Sequence, residues 1–357
     1  MKELKCAFCE QMLNEEEKFE FDGTVMCKHC FDANTVICYH CGKRIWREDN
    51  DGNNDVPLCS RCYDNHYTNC EECGRLVSYD DACYFTDDDY PYCQECYDRI
   101  NSKSIHDYSY KPEPLFYGSG HLFMGVELEI DHGGESCEKA EDILCIANPD
   151  DDRLYIKHDG SIEDGFEMVS HPMTLDYHSN HMCWRDIFSK AIELGYHSHK
   201  TSTCGLHIHV SRSALGKDYE HIEDTVARIV FFVEKHWDKL LKFSRRTEEN
   251  INRWASRYGI SENAKETYKN AKDRHMGRYV AVNLENYNTV EFRLFRGTLR
   301  YETFIATLQL IQHICDTCIK LTDNKLEKLT WEDFIKGIQY EELINYLKLK
   351  ELYTEVA

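Results

Sequence analysis

The sequence lacks the features that mark membrane-spanning and exported proteins. No apolar run in its 357 residues approaches the roughly 18 needed to cross a bilayer. The first residues, MKELKCAFCEQ, contain no apolar core of the kind found in signal peptides. Basic residues are also scarce, since 42 Lys and Arg stand against 64 Asp and Glu, for a formal charge of −22. Because nucleic-acid binders carry a basic surface, we expect a cytoplasmic protein that binds neither nucleic acid nor membrane.

Cysteine, by contrast, is abundant and regularly spaced. Thirteen of the 19 cysteines precede residue 100, and twelve of these form six Cys-x-x-Cys pairs. In a reducing compartment such pairs are typical of metal sites rather than of disulfides. The predicted ligands are Cys6, Cys9, Cys27, Cys30, Cys38, Cys41, Cys59, Cys62, Cys70, Cys73, Cys93 and Cys96.

The pairs belong to an internal repeat of 32 residues, set by Cys6, Cys38 and Cys70. A module of this length is below the ~40 residues at which chains fold without a metal or a disulfide. Four thiolates around one Zn²⁺ supply about 10–16 kcal/mol. We therefore predict three structural zinc modules in residues 1–100, at about residues 1–35, 36–67 and 68–100. Pairing within a repeat is the simpler arrangement, and cross-braced pairing between neighbouring repeats is the alternative.

The modules resemble LIM-type and zinc-ribbon domains. Residues 1–100 carry 22 acidic and 10 basic side chains, which disfavours a finger that reads nucleic acid and favours a protein-binding or scaffolding role. Residues 101–120 contain two prolines, two glycines and several serines, and we interpret them as a linker.

Residues 121–357 alternate between strand and helix patterns in irregular order. This predicts an α+β domain with a largely antiparallel sheet and C-terminal helices. The strand-like runs are Leu122–Ile130, Leu154–His158, Phe166–Ser170, Leu206–Arg212, Tyr279–Leu284 and Thr289–Phe295. The helix-like runs are Asp176–Leu194, Ile222–Phe243, Glu302–Leu321 and Trp331–Leu352.

Polar residues alternate with apolar residues in three of the predicted strands. The alternating pairs are Glu127 with Glu129, His207 with His209, and Glu291 with Arg293, and Glu167 lies in a similar run. A strand directs residues i and i+2 to the same face, so these side chains would line one face of the sheet. Clustered carboxylates repel one another unless cations bind them. Glutamate ligands favour Mg²⁺ or Mn²⁺ over zinc.

Three segments resemble parts of known ligases. CGLHIHVS, at residues 204–211, is similar to the Gly-x-His-x-His-x-Ser segment of glutamine synthetase, and VEFRLFRGT, at residues 290–298, is similar to its Glu-x-Arg strand. HDGSI followed by FEMVSHP is similar to a segment of the γ-glutamylcysteine ligases. With GVELE, the ordered set resembles the amidoligase family of glutamine-synthetase-like carboxylate–amine ligases, from about Gly125 to Leu299.

The resemblance implies an ATP-dependent ligase that forms an amide or isopeptide bond through an acyl phosphate. It assigns one Mg²⁺ to Glu127, His207 and Glu291. It assigns a second Mg²⁺ to Glu129 and Glu167. One more carboxylate is expected at the second ion, and the candidates for it are Asp159, Glu163 and Asp164.

The resemblance also implies that Arg293 stabilises the phosphoryl transition state and that His209 lies near the nucleotide phosphates. Arg296, Lys157 and Arg278 are further candidates for binding phosphate or carboxylate. The expected cofactors are ATP, Mg²⁺ or Mn²⁺, and three structural Zn²⁺.

The expected partner is a protein or peptide recruited by the zinc modules, or a small amino-acid substrate. Two other functions fit the motifs less well. One is a metal-dependent hydrolase built on His207 and His209, and the other is a zinc-module adaptor without catalysis. Residues 244–277 are rich in Arg and Lys. They form either a lid or a solvated helical excursion, and the sequence does not decide between the two.

Overall fold

The chain folds into two compact units, Met1–Lys103 and Ser104–Ala357. The structure, a computed structural model, describes residues 4–84, 89–101, 104–199, 204–273 and 276–353, with residues 99–101 described by their backbone alone. No helix among these residues is long and apolar enough to cross a membrane.

The first unit consists of three similar modules. In each one, a tight turn carries the first cysteine pair, and the backbone N–H of Cys6, Cys38 or Cys70 donates to the carbonyl five residues further on. The second pair lies at the start of a short helix. The strands pair as antiparallel hairpins. The elements are β1 (Phe19–Phe21), β2 (Thr24–Met26), α1 (Lys28–Asn34), β3 (Thr35–Ile37), β4 (Arg44–Trp46), α2 (Ser60–His66), β5 (Tyr67–Asn69), β6 (Leu76–Ser78) and α3 (Gln94–Asn101).

Successive modules follow one another without linker residues. Helix α1 ends at Asn34 and β3 begins at Thr35, and α2 and β5 adjoin in the same way. Trp46 of the second module packs against Phe21 and Phe8 of the first, with ring centroids 5.0 Å and 6.2 Å away. Each module has a small apolar core, so these shared aromatic contacts add to its stability.

The second unit is built on one six-stranded sheet, in which every neighbouring pair of strands is antiparallel. The strand order is β11-β12-β10-β7-β9-β8. The predicted α+β class with a largely antiparallel sheet is therefore confirmed. The strands are β7 (Met124–Ile130), β8 (Leu154–Lys157), β9 (Phe166–Ser170), β10 (Gly205–Ser211), β11 (Val282–Asn283) and β12 (Thr289–Arg296).

Helices fill the connections between the strands and the C-terminal part of the described chain. They are α4 (Cys137–Ala147), α5 (Leu175–Asn180), α6 (Trp184–Glu193), α7 (Tyr219–Lys235), α8 (Trp237–Ser244), α9 (Glu248–Trp254), α10 (Ala264–Asp273), α11 (Tyr301–Lys320), α12 (Asp323–Lys328), α13 (Trp331–Lys336) and α14 (Glu341–Leu349).

Three of the four predicted helices are interrupted in the structure. The run predicted as one helix over residues 222–243 is α7 followed by α8, with His236 in a non-helical conformation between them. The runs over residues 176–194 and 331–352 are likewise split into two helices each. The apolar period continues across these breaks because both halves face the same core, so periodicity alone does not reveal them.

Residues 104–120, most of the predicted linker, belong to the second unit and pack against its sheet. His106 forms a parallel bridge with Lys157 of β8, and the backbone N–H of Leu115 donates to His171 Nδ1 at 3.1 Å. Tyr117 forms a parallel bridge with Met173. This segment is therefore ordered by contacts with the domain that follows it.

One continuous core joins the sheet to the helices. Leu128, Ile208 and Phe292 are fully buried and project from alternate positions of the central strands. Helix α11 is buried along most of its length and contacts α5, α6, α7 and α14. On α11, the fully buried ring of Phe304 lies 4.7 Å from that of Trp184 and 5.1 Å from that of Phe188.

We predict that Phe304→Ala lowers the free energy of unfolding of the second unit by about 3–5 kcal/mol, because it leaves a cavity among packed rings. Denaturant titration followed by tryptophan fluorescence measures this loss, since Trp184 is in direct contact. The control is Tyr287→Ala, which removes a ring that is 92% exposed and should change stability by less than 0.5 kcal/mol, the usual range for surface sites. Equal effects of the two substitutions would contradict this packing.

Candidate metal centres and active site

Each module of the first unit gathers four cysteines into one cluster. The Sγ atoms of each cluster lie within 4.8 Å of one another. The separations Cys9–Cys27, Cys41–Cys59 and Cys73–Cys93 are 3.7, 4.0 and 3.8 Å. A tetrahedron with metal–sulfur bonds of about 2.3 Å has edges of about 3.8 Å. The clusters therefore have the dimensions of a zinc site, and the cysteines pair within each repeat rather than across neighbouring repeats.

One thiol of each cluster is acidic. Burial raises the pKa of Cys6, but hydrogen bonds from the backbone N–H groups of Cys9 and Cys27 outweigh burial and hold this pKa at about 6. Cys38 and Cys70 have pKa values of about 6 for the same reason. A metal ion bound here must displace protons from the other thiols, so metal binding to the clusters depends on pH.

We predict that the purified protein contains three zinc ions per chain and that Cys62→Ser lowers this number to two. The substitution removes one of four ligands, and a site with three ligands binds zinc less tightly. Elemental analysis after dialysis counts the ions. Cys83→Ser is the matched control, because Cys83 belongs to none of the three clusters, and it should leave three zinc ions per chain. Fewer than three in the unmodified protein would contradict the prediction.

In the second unit, strand register aligns polar side chains into two rows across one face of the sheet. In the first row, Lys157 of β8 is opposite Glu167 of β9, and Glu167 is opposite Glu129 of β7. On the next row, Glu127 of β7 is opposite His207 of β10. These side chains approach one another because strands lie about 4.8 Å apart.

Toward β12 and β11 the polar face continues through three more residues. His209 of β10 is opposite Glu291 of β12, and Glu291 is opposite Asn283 of β11. The register of β10 on β12 shifts between Leu206 and Ile208. The face thus collects carboxylates and imidazoles from four strands that are far apart in sequence.

Glu127, His207 and Glu291 form the first carboxylate group. Their ligand atoms lie within 4.8 Å of one another. His207 Nδ1 is 3.4 Å from Glu127 Oε2 and 3.9 Å from Glu291 Oε1. His209 Nε2 lies beside this group, 3.2 Å from Glu127 Oε1.

Neighbouring side chains orient Glu291. Its Oε2 accepts hydrogen bonds from Asn283 Nδ2 at 2.8 Å and Asn286 Nδ2 at 3.1 Å, and its Oε1 accepts from Arg293 Nη1. Sequence reasoning missed both asparagines. Asn283 could have been noticed, because it is a polar residue inside the predicted strand that ends at Leu284.

Glu129, Glu167 and His207 form the second carboxylate group, and their ligand atoms also lie within 4.8 Å of one another. Glu129 Oε2 accepts a hydrogen bond from the backbone N–H of Gly205, and its Oε1 is 4.0 Å from His207 Nε2. Lys157 Nζ is 3.1 Å from Glu167 Oε2. His207 thus faces the first group with Nδ1 and the second with Nε2.

The two groups differ in their protonation. Burial raises the pKa of Glu127 and Glu291, but the charges of His209 and His207 outweigh it, so both pKa values fall below the usual range. Burial raises the pKa of Glu129, and burial together with the charge of Glu127 raises that of Glu167 well above its usual range. The first group therefore favours carboxylates in their ionised form, whereas the second favours protonated or paired carboxyls.

The predicted arginines lie at different distances from the two carboxylate groups. Arg293 Nη1 lies 3.5 Å from His207 Nδ1, which places this guanidinium against the first group. The ring of Tyr279 lies 5.9 Å from the Arg293 guanidinium and 5.1 Å from that of Arg278. Arg278 is exposed, and its Nη1 donates to Tyr108 Oη at 2.6 Å. It therefore lies toward the rim of the site.

Arg296 lies at the end of β12, where it is opposite Gly205. Its carbonyl accepts a hydrogen bond from Arg245 Nη2 at 3.1 Å. Of the three candidates for a further acidic ligand, Asp159 is the one whose charge raises the pKa of both Glu129 and Glu167.

Two further residues at the site were not predicted as part of it. Tyr155 of β8 has its pKa raised by burial and then by the charges of Glu127 and Glu167. Arg246 is 8% exposed, and its charge acts on Glu129. Arg246 belongs to the basic stretch of residues 244–277, for which the sequence left two interpretations, a lid and a solvated helical segment. Nothing in the sequence distinguished Arg246 from its basic neighbours.

The donor set fits a hard divalent cation. Four buried or half-buried glutamates and one imidazole converge from separate strands, and such oxygen-rich sets suit Mg²⁺ or Mn²⁺. The first group offers ionised ligands without a competing lysine. We therefore identify it as the best candidate for a bound ion.

A comparison with protein families gives a match that spans part of the site. Residues 147–315 match the family described as "Putative amidoligase enzyme". The match includes Glu167, His207 and Glu291, whereas Glu127 and Glu129 precede it. It supports the resemblance to amidoligases and an enzyme of the ligase type. No curated protein matches the chain.

We predict that Gly205→Ala weakens Mn²⁺ binding to the second unit by at least tenfold. A Cβ at Gly205 would lie 2.6 Å from Arg246 Nη2 and 2.7 Å from His207 Nε2, so it would displace a ligand of the first group. Isothermal titration of the zinc-loaded protein with Mn²⁺ measures the affinity. Gly160→Ala is the control, since its added Cβ meets nothing within 4 Å and its φ lies outside the left-handed region. Both variants place alanine at a glycine, and equal affinities would contradict the prediction.

Proposed function

We propose that the protein is an ATP-dependent carboxylate–amine ligase that forms an amide or isopeptide bond through an acyl phosphate. The observation that carries the proposal is the convergence of Glu127, His207 and Glu291 with Arg293 on one buried face of the sheet. This combination suits phosphoryl transfer, which depends on positioning and charge neutralisation more than on covalent catalysis. The amidoligase match of residues 147–315 supports the same reaction class.

The reaction has two steps. A carboxylate oxygen of one substrate attacks the γ-phosphorus of ATP, and ADP leaves, which yields an acyl phosphate. The amine nitrogen of the second substrate then attacks the acyl carbon, inorganic phosphate leaves, and the nitrogen loses a proton. Bound Mg²⁺ or Mn²⁺ would neutralise phosphate oxygens during the first step.

The protein's own residues hold and orient the reacting groups. The first carboxylate group holds the cation, and the asparagines at positions 283 and 286 fix the orientation of Glu291. Arg293 Nε is buried and has no hydrogen-bond partner among the described residues, so it remains available as a donor. In the proposed reaction, Arg293 donates to the transferring phosphoryl group and His209 lies beside the nucleotide phosphates.

The zinc modules would recruit a protein or peptide that carries the carboxylate or the amine. They are closed sites with four ligands each, which leave no coordination position for catalysis. A small amino acid is the alternative substrate, and it would not need these modules for binding.

We predict that ADP release requires Mg²⁺, a carboxylate substrate and an amine together, and that Arg293→Ala lowers the rate at least 100-fold. The loss follows from removing a preorganised donor to the transition state, typically worth 10²–10³-fold. A coupled ADP assay with a panel of amino acids and peptides measures the rate. Arg185→Ala is the matched control, because Arg185 is exposed and paired with Glu302 away from the site.

The outcomes separate the candidate functions. Product formation without nucleotide would replace the ligase with a metal-dependent hydrolase that uses His207 and His209. Nucleotide-independent binding of partners without turnover would favour an adaptor. Near-normal turnover of both Arg293→Ala and Glu291→Gln would contradict the site itself.

A further inference from the structure

A buried lysine occupies a distinctive position in the second carboxylate group. Lys157 is 8% exposed, and Glu167 is 3% exposed. Their Nζ and Oε2 atoms are 3.1 Å apart across the β8–β9 pair. The aromatic ring of Tyr108 lies 5.7 Å from the same Nζ atom. The ammonium is therefore held at the group by the strand register on one side and by the preceding segment on the other.

A neutral imidazole has only one nitrogen that can bind a metal ion. His207 therefore cannot bind one ion in the first group and another in the second at the same time. His207 Nδ1 faces the first group, at 3.4 Å from Glu127. If Nδ1 binds a cation there, Nε2 carries the proton and becomes a donor. Glu129 Oε1 lies 4.0 Å from Nε2, and a small approach would let it accept this proton and orient the ring, as carboxylates behind metal-bound histidines commonly do.

The charges of the second group are already balanced. Lys157 pairs with Glu167, and the charge of Arg246 acts on Glu129. The Arg246 head lies against Gly205, whose N–H donates to Glu129. A divalent cation added here would leave two excess positive charges in a buried place, which is costly. In the first group, Arg293 is the fixed positive charge that faces two glutamates, and the neighbouring imidazoles of His207 and His209 are groups that bind cations in their neutral form.

We propose that the nucleotide-free protein binds one divalent cation in the second unit, at Glu127, His207 and Glu291, and that the ammonium of Lys157 takes the place of a second cation. This inference rests on the proposed function, and it replaces the second Mg²⁺ that the resemblance implied. Nζ has three donors, and the ion pair with Glu167 uses one of them. Lys157 thus brings a fixed positive charge to the row of carboxylates that adjoins the first group.

The test counts Mn²⁺ ions bound by the full chain without nucleotide. The protein is first loaded with zinc, because thiolate sites retain Zn²⁺ against Mn²⁺. Calorimetry gives the stoichiometry, and electron paramagnetic resonance reveals whether two Mn²⁺ ions are close enough to couple. We expect one Mn²⁺ per chain and an uncoupled spectrum.

Substitution of the lysine should create the missing site. Lys157→Glu adds a third carboxylate, so we expect two Mn²⁺ ions per chain and a spectrum broadened by coupling. Lys157→Gln removes the ammonium with a smaller change in shape, and we expect a second, weaker Mn²⁺ site. The control Lys239→Glu makes the same charge change at an exposed position and should leave one ion. Circular dichroism and thermal unfolding identify any variant that fails to fold.

Each result decides between the two proposals. Two coupled ions in the unmodified protein would overturn the lysine proposal, while ADP release with carboxylate and amine would still support the ligase. One ion in both the unmodified protein and the folded Lys157 variants would show that Lys157 does not exclude the second ion, and would also overturn it. The absence of any Mn²⁺ site without nucleotide would also overturn the lysine proposal, whereas the ligase would stand or fall on the ADP assay.

Discussion

Mutual repulsion among buried carboxylates is the constraint on which the second unit depends. Glu127 and Glu129 come from β7, Glu167 from the adjacent β9, and Glu291 from β12, which lies on the other side of β10; three of these four glutamates are at most 5% exposed. Water screens such charges poorly once they are buried, so each carboxylate needs a cation, a proton or a hydrogen-bond donor. The chain supplies arginine, lysine, imidazole and backbone N–H groups around the face. The first group, where imidazoles rather than a lysine face the carboxylates, is the candidate for a bound metal ion.

The opposite face of the same sheet supplies the energy that holds these charges together. Leu128, Ile208 and Phe292 alternate with the polar residues and join one core with the helices. Because side chains on a strand alternate between faces, a shift in register of one residue would exchange the two sets. Packing of the apolar face thus fixes the position of every ligand on the polar face, and a rigid sheet holds them more accurately than loops would.

The stability of the first unit has a different basis. Its modules are too small to bury a large core, so four cysteines in each gather to the dimensions of a metal site. Their helices and strands follow one another without linkers, and Trp46 of the second module packs on Phe21 and Phe8 of the first. The cysteine clusters and the carboxylate face would therefore use metal ions in distinct ways: the clusters for folding, and the carboxylate face for charge compensation.

The sequence alone predicted the features that depend on local period and spacing. Cysteine spacing identified the three modules, and alternation of polar with apolar residues identified the strands that carry Glu127, His207 and Glu291. It did not reveal the breaks near His236 or in the two other split helices, because the apolar period crosses them. Only the tertiary structure placed Lys157 against Glu167 and the Arg246 head beside Gly205. Those contacts depend on which strands become neighbours and in what register, and long-range pairing of this kind leaves no periodic signal in the chain.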